Sequence, residues 1–289
     1  TNYTHLYSIW ESHFINPEAE EALQEQVRLV DEKAFRTMQK QQARLRPALA
    51  QEGIEEIIYV TRELYQDVHW YANISYYAAD ANHETYVKGA GLYKLHVPTG
   101  KVVPLLEDTE GTIRDPAVHY DGKTILFSWR KGNAKSFHLY TIQSDGTGLT
   151  QLTSGNYDDI EPAWLPDGGI IFVSSRSRRW VNCWFTQVAT VHRCDADGIN
   201  IKPLSTNLEQ DNTPWPLPDG RLLYTRWEYI DRGQLDYHHL WTMNPDGTNH
   251  AIYYGNMHPG GLYIDAKPIP GTNEVLTINS PLHGKREHE

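Results

Sequence analysis

Arginines recur in the sequence at positions where they could bind an anion. Arg62, Arg130 and Arg176 each follow directly on a run of β-forming residues. After a fourth such run the position holds Glu228, and Arg226 lies two residues before it. A guanidinium group pairs with a carboxylate or phosphate through two parallel hydrogen bonds. A ring of these arginines would therefore bind an anionic ligand.

Acidic residues give the same arginines a second interpretation. Carboxylates precede the β-forming runs at Asp115, Asp159, Glu161 and Asp211. If they pair with arginines of neighbouring repeats, the two sets lock the repeats together and bind nothing else. Both interpretations stay open at this point. The candidate ligand-binding face comprises His69, Arg62, Arg130, Arg176, Arg226, Glu228, Asp159, Glu161 and Asp211.

Three histidines near the end of the sequence could bind a divalent metal ion. His258, His283 and His288 would supply imidazole nitrogens, and Asp265 a carboxylate oxygen. The sequence has no HExxH motif or other local metal spacing, so a divalent metal is a candidate cofactor only. No CxxCH motif occurs, and we expect no covalent c-type haem on this chain.

A repeat predicts the elements that position these residues. Residues 114–130, 160–176 and 212–228 each contain a proline, an Asp-Gly pair five residues later and then a hydrophobic run. A weaker copy occupies 266–280. The repeated prolines are Pro116, Pro162, Pro214 and Pro268. These prolines are 46, 52 and 54 residues apart. Short β-runs that recur at a period of this size and are joined by Asp-Gly hairpin turns are typical of β-propeller blades.

Each repeat predicts four antiparallel strands, A to D, with strand A in the run after the proline. The chain supplies B, C and D first, then three full sets, and finally A and B. We predict an all-β chain, a β-propeller of four-stranded blades with about four and a half blades visible and about six or seven when complete. An open strand edge exposes unpaired backbone groups. We therefore expect a protein partner or further sequence to complete the last blade.

The N-terminal part of the sequence has a different pattern. After Asn16-Pro17, the apolar residues Leu23, Val27 and Val30 recur at helical spacing. We predict an N-terminal α-helix and assign residues 1–53 to a helical extension. Residues 54–289 form the predicted propeller, incomplete on its C-terminal side.

Long loops bring the candidate residues to one face of the predicted propeller. The B–C loops, such as 62–90 and 176–187, are long and irregular, whereas the A–B and C–D turns are short. Long loops on one face of a repeat fold usually form the binding face. A small molecule or a glycan is the kind of ligand that this face would take.

Charge and hydropathy limit the partners. The net charge of −11 argues against nucleic acid, whose partners carry a basic surface. The sequence contains no run of about 18 apolar residues, so we expect no membrane-spanning helix.

Longer stretches resemble a known family. "DDIEPAWLPDGGIIFVSSR" (158–176) resembles the TolB-like propeller repeat. "LPDGRLLYTRWEYIDR", "YHHLWTMNPDGT" and "SPLHGKREHE" are similar to propeller proteins related to the middle domain of the hydrazine synthase alpha subunit. The resemblance covers about residues 54–289. It implies a periplasmic or extracellular protein and a larger multidomain context, but without a haem motif it does not imply hydrazine formation.

Two functions from different classes follow. The first is an exported propeller scaffold or ligand-binding module in a larger protein or complex. The alternative is a subunit of a metal- or haem-dependent enzyme, either redox and hydrazine-synthase-like or a metal-dependent polysaccharide lyase, with its site on the B–C loop face. No catalytic residue is identified, and the sequence leaves open whether the chain is an enzyme.

Overall fold

The computed structural model describes residues 36–37, 40–41, 43–62, 88–182, 186–232, 236–257 and 261–280. The chain forms two compact units, the smaller of residues up to 57 with 96–101. In the smaller unit residues 43–51 are helical, and Arg46 donates from Nε to the carbonyl of Val97 at 3.0 Å. In the part of the chain that the structure describes, no helix is long and apolar enough to cross a membrane.

Most of the described chain forms short strands grouped into sheets, and we number the groups as blades. Blade 1 contains β1 (Glu56–Arg62), β2 (Ala90–His96) and β3 (Lys101–Asp108). Blade 2 contains β4 (Thr112–Val118), β5 (Thr124–Arg130), β6 (His138–Gln143) and β7 (Thr150–Gln151). Blade 3 contains β8 (Asp159–Trp164), β9 (Ile170–Ser174), β10 (Thr190–Cys194) and β11 (Lys202–Pro203).

Two further sets of strands complete the described chain. Blade 4 contains β12 (Asp211–Pro216), β13 (Leu222–Trp227), β14 (His238–Met243) and β15 (Ala251–Tyr254). Blade 5 contains β16 (Leu262–Pro268) and β17 (Val275–Ser280). Strand β16 also pairs in parallel with β14 at Leu262 and His238, so that blades 4 and 5 share one sheet. A short helix, Tyr229–Arg232, lies in the B–C loop of blade 4. The predicted sequence of B, C and D, then three full sets, then A and B is confirmed.

A β-bulge interrupts every inner strand A at the same place. In blade 2, Asp115 and Pro116 lie between the paired residues Arg114 and Ala117, opposite one residue of strand B. Blades 3, 4 and 5 shift register in the same way. The first bulge residue has a positive φ in all four blades: Asp115 (57°), Glu161 (55°), Thr213 (46°) and Asp265 (55°). This left-handed conformation is unusual for residues other than glycine.

The bulges correct two predictions. Strand A begins before the repeated proline, because Pro116, Pro162 and Pro214 are the second residues of the bulges. A proline is tolerated there because a bulge leaves one residue out of the hydrogen-bond ladder. In blade 5 the second bulge residue is Ala266, so Pro268 is not the fourth equivalent proline.

Apolar clusters fill the space between successive blades. On strand B, Leu126 shares a buried cluster with Phe172 of blade 3. Leu223 of blade 4 shares another with Ala266 of blade 5. These strand-B side chains therefore point towards the following blade, which covers them.

Strand β17 exposes the face that the other blades bury. Its Leu276 lies opposite the first paired residue after the bulge, which aligns it with Leu126, Ile171 and Leu223. Those three side chains are 0% exposed, whereas Leu276 is 68% exposed. Ile278, on the same side of the strand, is 45% exposed. An apolar sheet face of the kind buried between blades is thus open on blade 5.

The aligned pair Leu223 and Leu276 allows a matched test of this packing. Leu223→Ala should lower the free energy of unfolding by about 2–5 kcal/mol, because it removes buried methyl groups and leaves a cavity. Leu276→Ala should change it by less than about 0.5 kcal/mol, because the side chain is exposed. Urea denaturation followed by circular dichroism measures both. Equal losses would show that β17 is covered in the isolated chain.

Candidate functional site

A buried carboxylate at the start of blade 3, Asp159, contacts another candidate of the ligand-binding face, Arg176. Asp159 is 0% exposed. Its carboxylate accepts a hydrogen bond from Ser174 Oγ at 2.7 Å and one from Arg176 Nη2 at 2.8 Å. His138 Nδ1 of blade 2 lies 3.7 Å away. The Arg176–Asp159 ion pair is therefore internal to blade 3 and does not join neighbouring blades.

The adjacent residue, Asp158, belongs to a clamp that does join blades. Its Oδ1 accepts the backbone N–H of Phe137 in blade 2 at 2.9 Å. Between blades 3 and 4, Gln210 Oε1 accepts the N–H of Ala189 in the same way at 2.7 Å. Because a neutral glutamine performs this role, the clamp needs an oxygen and not a charge. Burial raises the pKa of Asp158 to about 6.

Asp211 is the blade 4 counterpart of Asp159 and is equally buried. Its carboxylate accepts hydrogen bonds from Ser205 Oγ at 2.5 Å and from Asn207 Nδ2 at 3.1 Å. Arg226 lies opposite Asp211 in the sheet. Burial raises the pKa of Asp211 to about 6, and the charge of Arg226 offsets part of that rise. The carboxylate is thus held by groups of blades 3 and 4 themselves.

Guanidinium groups also fix the B–C loops to the D–A loops that follow. In blade 3, Arg179 donates to the carbonyl of Asn207. In blade 4, Arg232 donates to Asn256 Oδ1 at 2.6 Å and to its carbonyl at 2.9 Å. The Arg232 guanidinium also lies 4.0 Å from the ring centroid of Tyr237. These cations bind the protein's own backbone and rings.

The bulge residues of strand A form a chain of hydrogen bonds from blade to blade, which we call the bulge ladder. The N–H of Glu161 donates to Asp115 Oδ2 at 3.0 Å. The N–H of Thr213 donates to Glu161 Oε2 at 2.6 Å. The N–H of Asp265 donates to Thr213 Oγ1 at 3.0 Å. Each bulge side chain therefore receives the backbone amide of its equivalent in the next blade.

Arg114 strengthens the first step of the bulge ladder. Its Nε donates to Asp115 Oδ2 at 2.6 Å and its Nη2 to Glu161 Oε1 at 3.2 Å. Both Arg114 and Glu161 are buried. Burial raises the pKa of Glu161, and the charge of Arg114 counteracts that rise. This ion pair links blades 2 and 3, and its cation is not one of the candidate arginines.

The candidate arginines do not share one register. Arg130 ends β5 opposite Thr112, whereas Arg176 lies beyond β9 in a 3-10 turn, Ser175–Ser177. The A–B turn explains the difference, because residues 119–124 separate the paired strand ends in blade 2 and the shorter segment 165–169 does so in blade 3. Equal spacing from the Asp-Gly pair therefore does not give equal position.

The remaining candidates of the ligand-binding face are spread over the unit. Arg62 ends β1. Arg226 lies inside β13, with its guanidinium 4.9 Å from the ring centroid of Trp241. Glu228 accepts from Arg232 Nη1 at 3.5 Å. His69 lies outside the described residues, and the ligand-binding role of the whole set remains a prediction.

The metal hypothesis falls largely on residues that the structure does not describe. His258, His283 and His288 are all outside the described ranges. Asp265 is described, and its Oδ1 lies 2.7 Å from Lys267 Nζ. Across the described residues, no three His, Cys, Asp or Glu side chains gather closely enough to hold a metal ion. The metal site also remains a prediction.

Sequence reasoning missed Arg114, Asp158 and Thr213. The residue type of Thr213 gave no signal, because a β-branched residue is among the least expected at positive φ. Its place directly before the repeated Pro214 is the one available clue, shared with Asp115 and Glu161. When the repeats are aligned on that proline, Asp115, Glu161 and Thr213 fall at one structural position.

Comparisons with solved structures show the fold. This chain is similar to hydrazine synthase from Kuenenia stuttgartiensis, with a TM-score of 0.63 and 17% identity over 80% of this chain and 36% of that one. TolB from Acinetobacter baumannii gives 0.42 and 14%, over 69% and 52%. An oligogalacturonate lyase in complex with manganese gives 0.44 and 12%, over 78% and 58%. Scores below 0.5 carry no further argument.

The likeness to hydrazine synthase confirms the predicted β-propeller fold and the relationship in fold that the sequence resemblance indicated. At this identity it shows the fold alone, and the chain spans 36% of the hydrazine synthase chain. No protein-family model matches the sequence. No curated protein matches it either.

The clamp residue Asp158 predicts a pH dependence of stability. Its folded pKa of about 6 exceeds the unfolded value of about 3.9. The folded state therefore binds the carboxyl proton more tightly than the unfolded state does. The stability that this proton binding contributes is lost as pH rises from about 4 to about 6. The loss amounts to about 3 kcal/mol at about 1.4 kcal/mol per pKa unit.

Asp158→Asn removes this ionisation and keeps an oxygen for the Phe137 N–H. The unfolding free energy of the variant, minus that of the native chain, should rise between pH 4 and pH 7 by about the same amount. Chemical denaturation at both pH values measures it. Asp197→Asn, at an exposed turn, is the control. If the unfolding free energies of Asp158→Asn and of the native chain change by the same amount between pH 4 and pH 7, the assignment is wrong.

The bulge ladder predicts that Thr213 stabilises the fold through its hydroxyl group. Thr213→Val keeps the β-branched shape and removes the acceptor for the Asp265 N–H. It should lower the free energy of unfolding by about 1–2 kcal/mol, whereas Thr213→Ser should retain most of it. Amide hydrogen exchange at Asp265 should accelerate in the valine variant only. An unchanged exchange rate of the Asp265 amide in the valine variant would contradict a stabilising role for the hydrogen bond to Thr213 Oγ1.

Proposed function

We propose that this propeller chain is a scaffold module of a larger exported protein or complex, and that a protein partner or further sequence covers the open face of blade 5. The observation that carries the proposal is the exposure of Leu276, 68% against 0% for its three equivalents. Apolar sheet faces in this fold are buried by the next blade. A face of the same composition left open is a surface for association.

The state of the polar residues on the B–C loop face supports a scaffold role. Asp159 and Asp211 are buried and receive hydrogen bonds from Ser174 and Ser205. Arg176 is paired with Asp159. A ligand that used these groups would have to break contacts within blade 3 and at the start of blade 4. Export rests on the family resemblance of the sequence alone.

The enzyme alternative has a simple discriminating measurement. It requires a metal or haem at residues such as His258 and His288, and the scaffold proposal does not. Stoichiometric Mn, Zn or Fe in the purified protein, lost in His258→Ala, would favour the enzyme. A metal content unaffected by this substitution would favour the scaffold.

Site-specific photocrosslinking tests the association surface. A benzoylphenylalanine at position 276 should give covalent adducts, either with another polypeptide or with further sequence of the same chain, in the cells that make the protein. The same group at Ile199, an exposed apolar residue in the C–D turn of blade 3, should give none. Adducts at both positions, at neither, or only to the chain's own N-terminal residues would overturn the proposal.

A further inference from the structure

The loops at the B–C end of blades 2 and 3 carry a charge opposite to that of the chain. Hydrogen bonds join four described segments there, 130–137, 153–158, 175–182 and 205–210. We call these segments the cationic surface. Their exposed charged side chains are Lys131, Lys135 and Arg178, all of them cations. Their two acids, Asp158 and Glu209, are buried. On a chain of net charge −11, this is a local excess of positive charge.

Tyr157 holds two arginine side chains on the cationic surface. Arg178 Nη2 donates to the Tyr157 hydroxyl at 3.2 Å, and its guanidinium lies 5.2 Å from the ring centroid. The Arg176 guanidinium lies 4.7 Å from the same centroid while it stays paired with Asp159. The ring packs directly on Gly155, where a β-carbon would lie 2.8 Å from it. A guanidinium has five N–H donors, so the hydrogen bond to Tyr157 leaves Arg178 with donors for a ligand.

The backbone of Arg178 indicates a role for its side chain beyond the fold. Arg178 ends the 3-10 turn in a left-handed conformation, with φ 51° and ψ 39°, and its N–H donates to the carbonyl of Ser175 at 3.0 Å. Glycine adopts this conformation without the steric cost that a side chain brings. Residues held in such conformations cluster at ligand-binding sites. A ligand-binding role accounts for an arginine where glycine would stabilise the fold more.

An exposed indole adjoins Arg178. Trp180 pairs with Gln187 in a β-bridge. Side chains alternate along bridged chains, so Trp180 lies on the side opposite to the buried Val181, and it is 44% exposed. Two residues of extended chain span at most about 7 Å. The indole and the guanidinium are therefore within reach of one ligand molecule.

We propose that the cationic surface binds an acidic glycan, with the Arg178 guanidinium on a carboxylate or sulfate group and the Trp180 indole against the apolar face of a sugar ring. A guanidinium pairs with such an oxyanion through two parallel hydrogen bonds. The exposed ammonium groups of Lys131 and Lys135 attract further anionic groups, and the exposed amide of Asn156 pairs with sugar hydroxyls. A polymer with repeated charges fits cations that are spread over two blades.

The proposal goes beyond the scaffold function and does not depend on the open face of blade 5. It leaves the ion pair of Arg176 and Asp159 intact, because the ligand contacts exposed groups. An acidic polypeptide could pair with the same cations, but the cationic surface offers it little of the apolar core that protein interfaces bury.

Labelled oligosaccharides serve as defined probes. Alginate fragments carry carboxylates, heparin fragments add sulfates, and neutral dextran is the control. Binding to the full chain is measured by fluorescence anisotropy. At least one of the two acidic glycans should bind saturably and dextran should not, and the affinity should fall as salt screens the exposed cations. The glycan that binds more tightly identifies carboxylate or sulfate as the recognised group.

Arg178→Gly is the decisive variant, because it removes the guanidinium and also relieves the left-handed backbone. It should weaken glycan binding at least about tenfold, while the thermal stability stays equal or rises. Trp180→Ala should weaken binding by about fivefold. Lys123→Ala removes an exposed cation from the A–B turn of blade 2. This matched control should stay within about twofold of the native chain.

Several outcomes would overturn the proposal. They are absence of binding to both acidic glycans, an unchanged affinity in Arg178→Gly, and equal losses in Arg178→Gly and Lys123→Ala. Poly-L-glutamate of matched charge that binds as tightly as the glycans would also overturn it and assign the cationic surface to acidic polypeptides. A failure of crosslinking at position 276 would overturn the scaffold proposal and leave this one unaffected.

Discussion

In each step between successive blades, one backbone amide turned out of its own strand fixes the register of one blade against the next. At the bulges the chain adopts a left-handed conformation at Asp115, Glu161, Thr213 and Asp265. Such a conformation costs on the order of 1–3 kcal/mol for a residue with a side chain, so it persists only where the surroundings impose it. Here the surroundings are the preceding blade, whose side-chain oxygen receives the amide in each of the three rungs.

The other contacts between blades agree with this geometry. Apolar side chains of strand B pack against the next blade, as Leu126 does with Phe172. At the B–C loop end, Asp158 and Gln210 hold the amides of Phe137 and Ala189. The register between two blades is thus fixed at the bulge by a polar contact, along strand B by packing, and at the loop end by the clamp.

The sequence predicted the elements well because their signals are local. Asp-Gly pairs with alternating apolar runs defined hairpins such as β8–β9, and the repeat period defined the blades. What it could not predict depends on one-residue details of register. The additional residue in the A–B turn of blade 2 displaced Arg130 from Arg176, and Ala266 in place of a proline hid the fourth bulge.

The candidate site shows the same limit in another form. Arginine and acid residues predicted polar contacts, but their partners depend on which strand ends meet. Arg176 pairs inside its blade with Asp159, while Arg114, which no motif singled out, bridges to Glu161. Charge in a repeat sequence therefore indicates that polar contacts exist and does not indicate whether they lie within or between repeats.

The direction of the bulge ladder has a consequence for the order in which the chain acquires structure. Every rung joins an acceptor that comes earlier in the sequence to a donor that comes later, as Glu161 does with Thr213. During synthesis, which proceeds from the N-terminus, the receiving oxygen of each blade is already in place when the following inner strand emerges. The propeller can therefore grow by addition to a finished surface, with each new bulge shaped by the blade made before it.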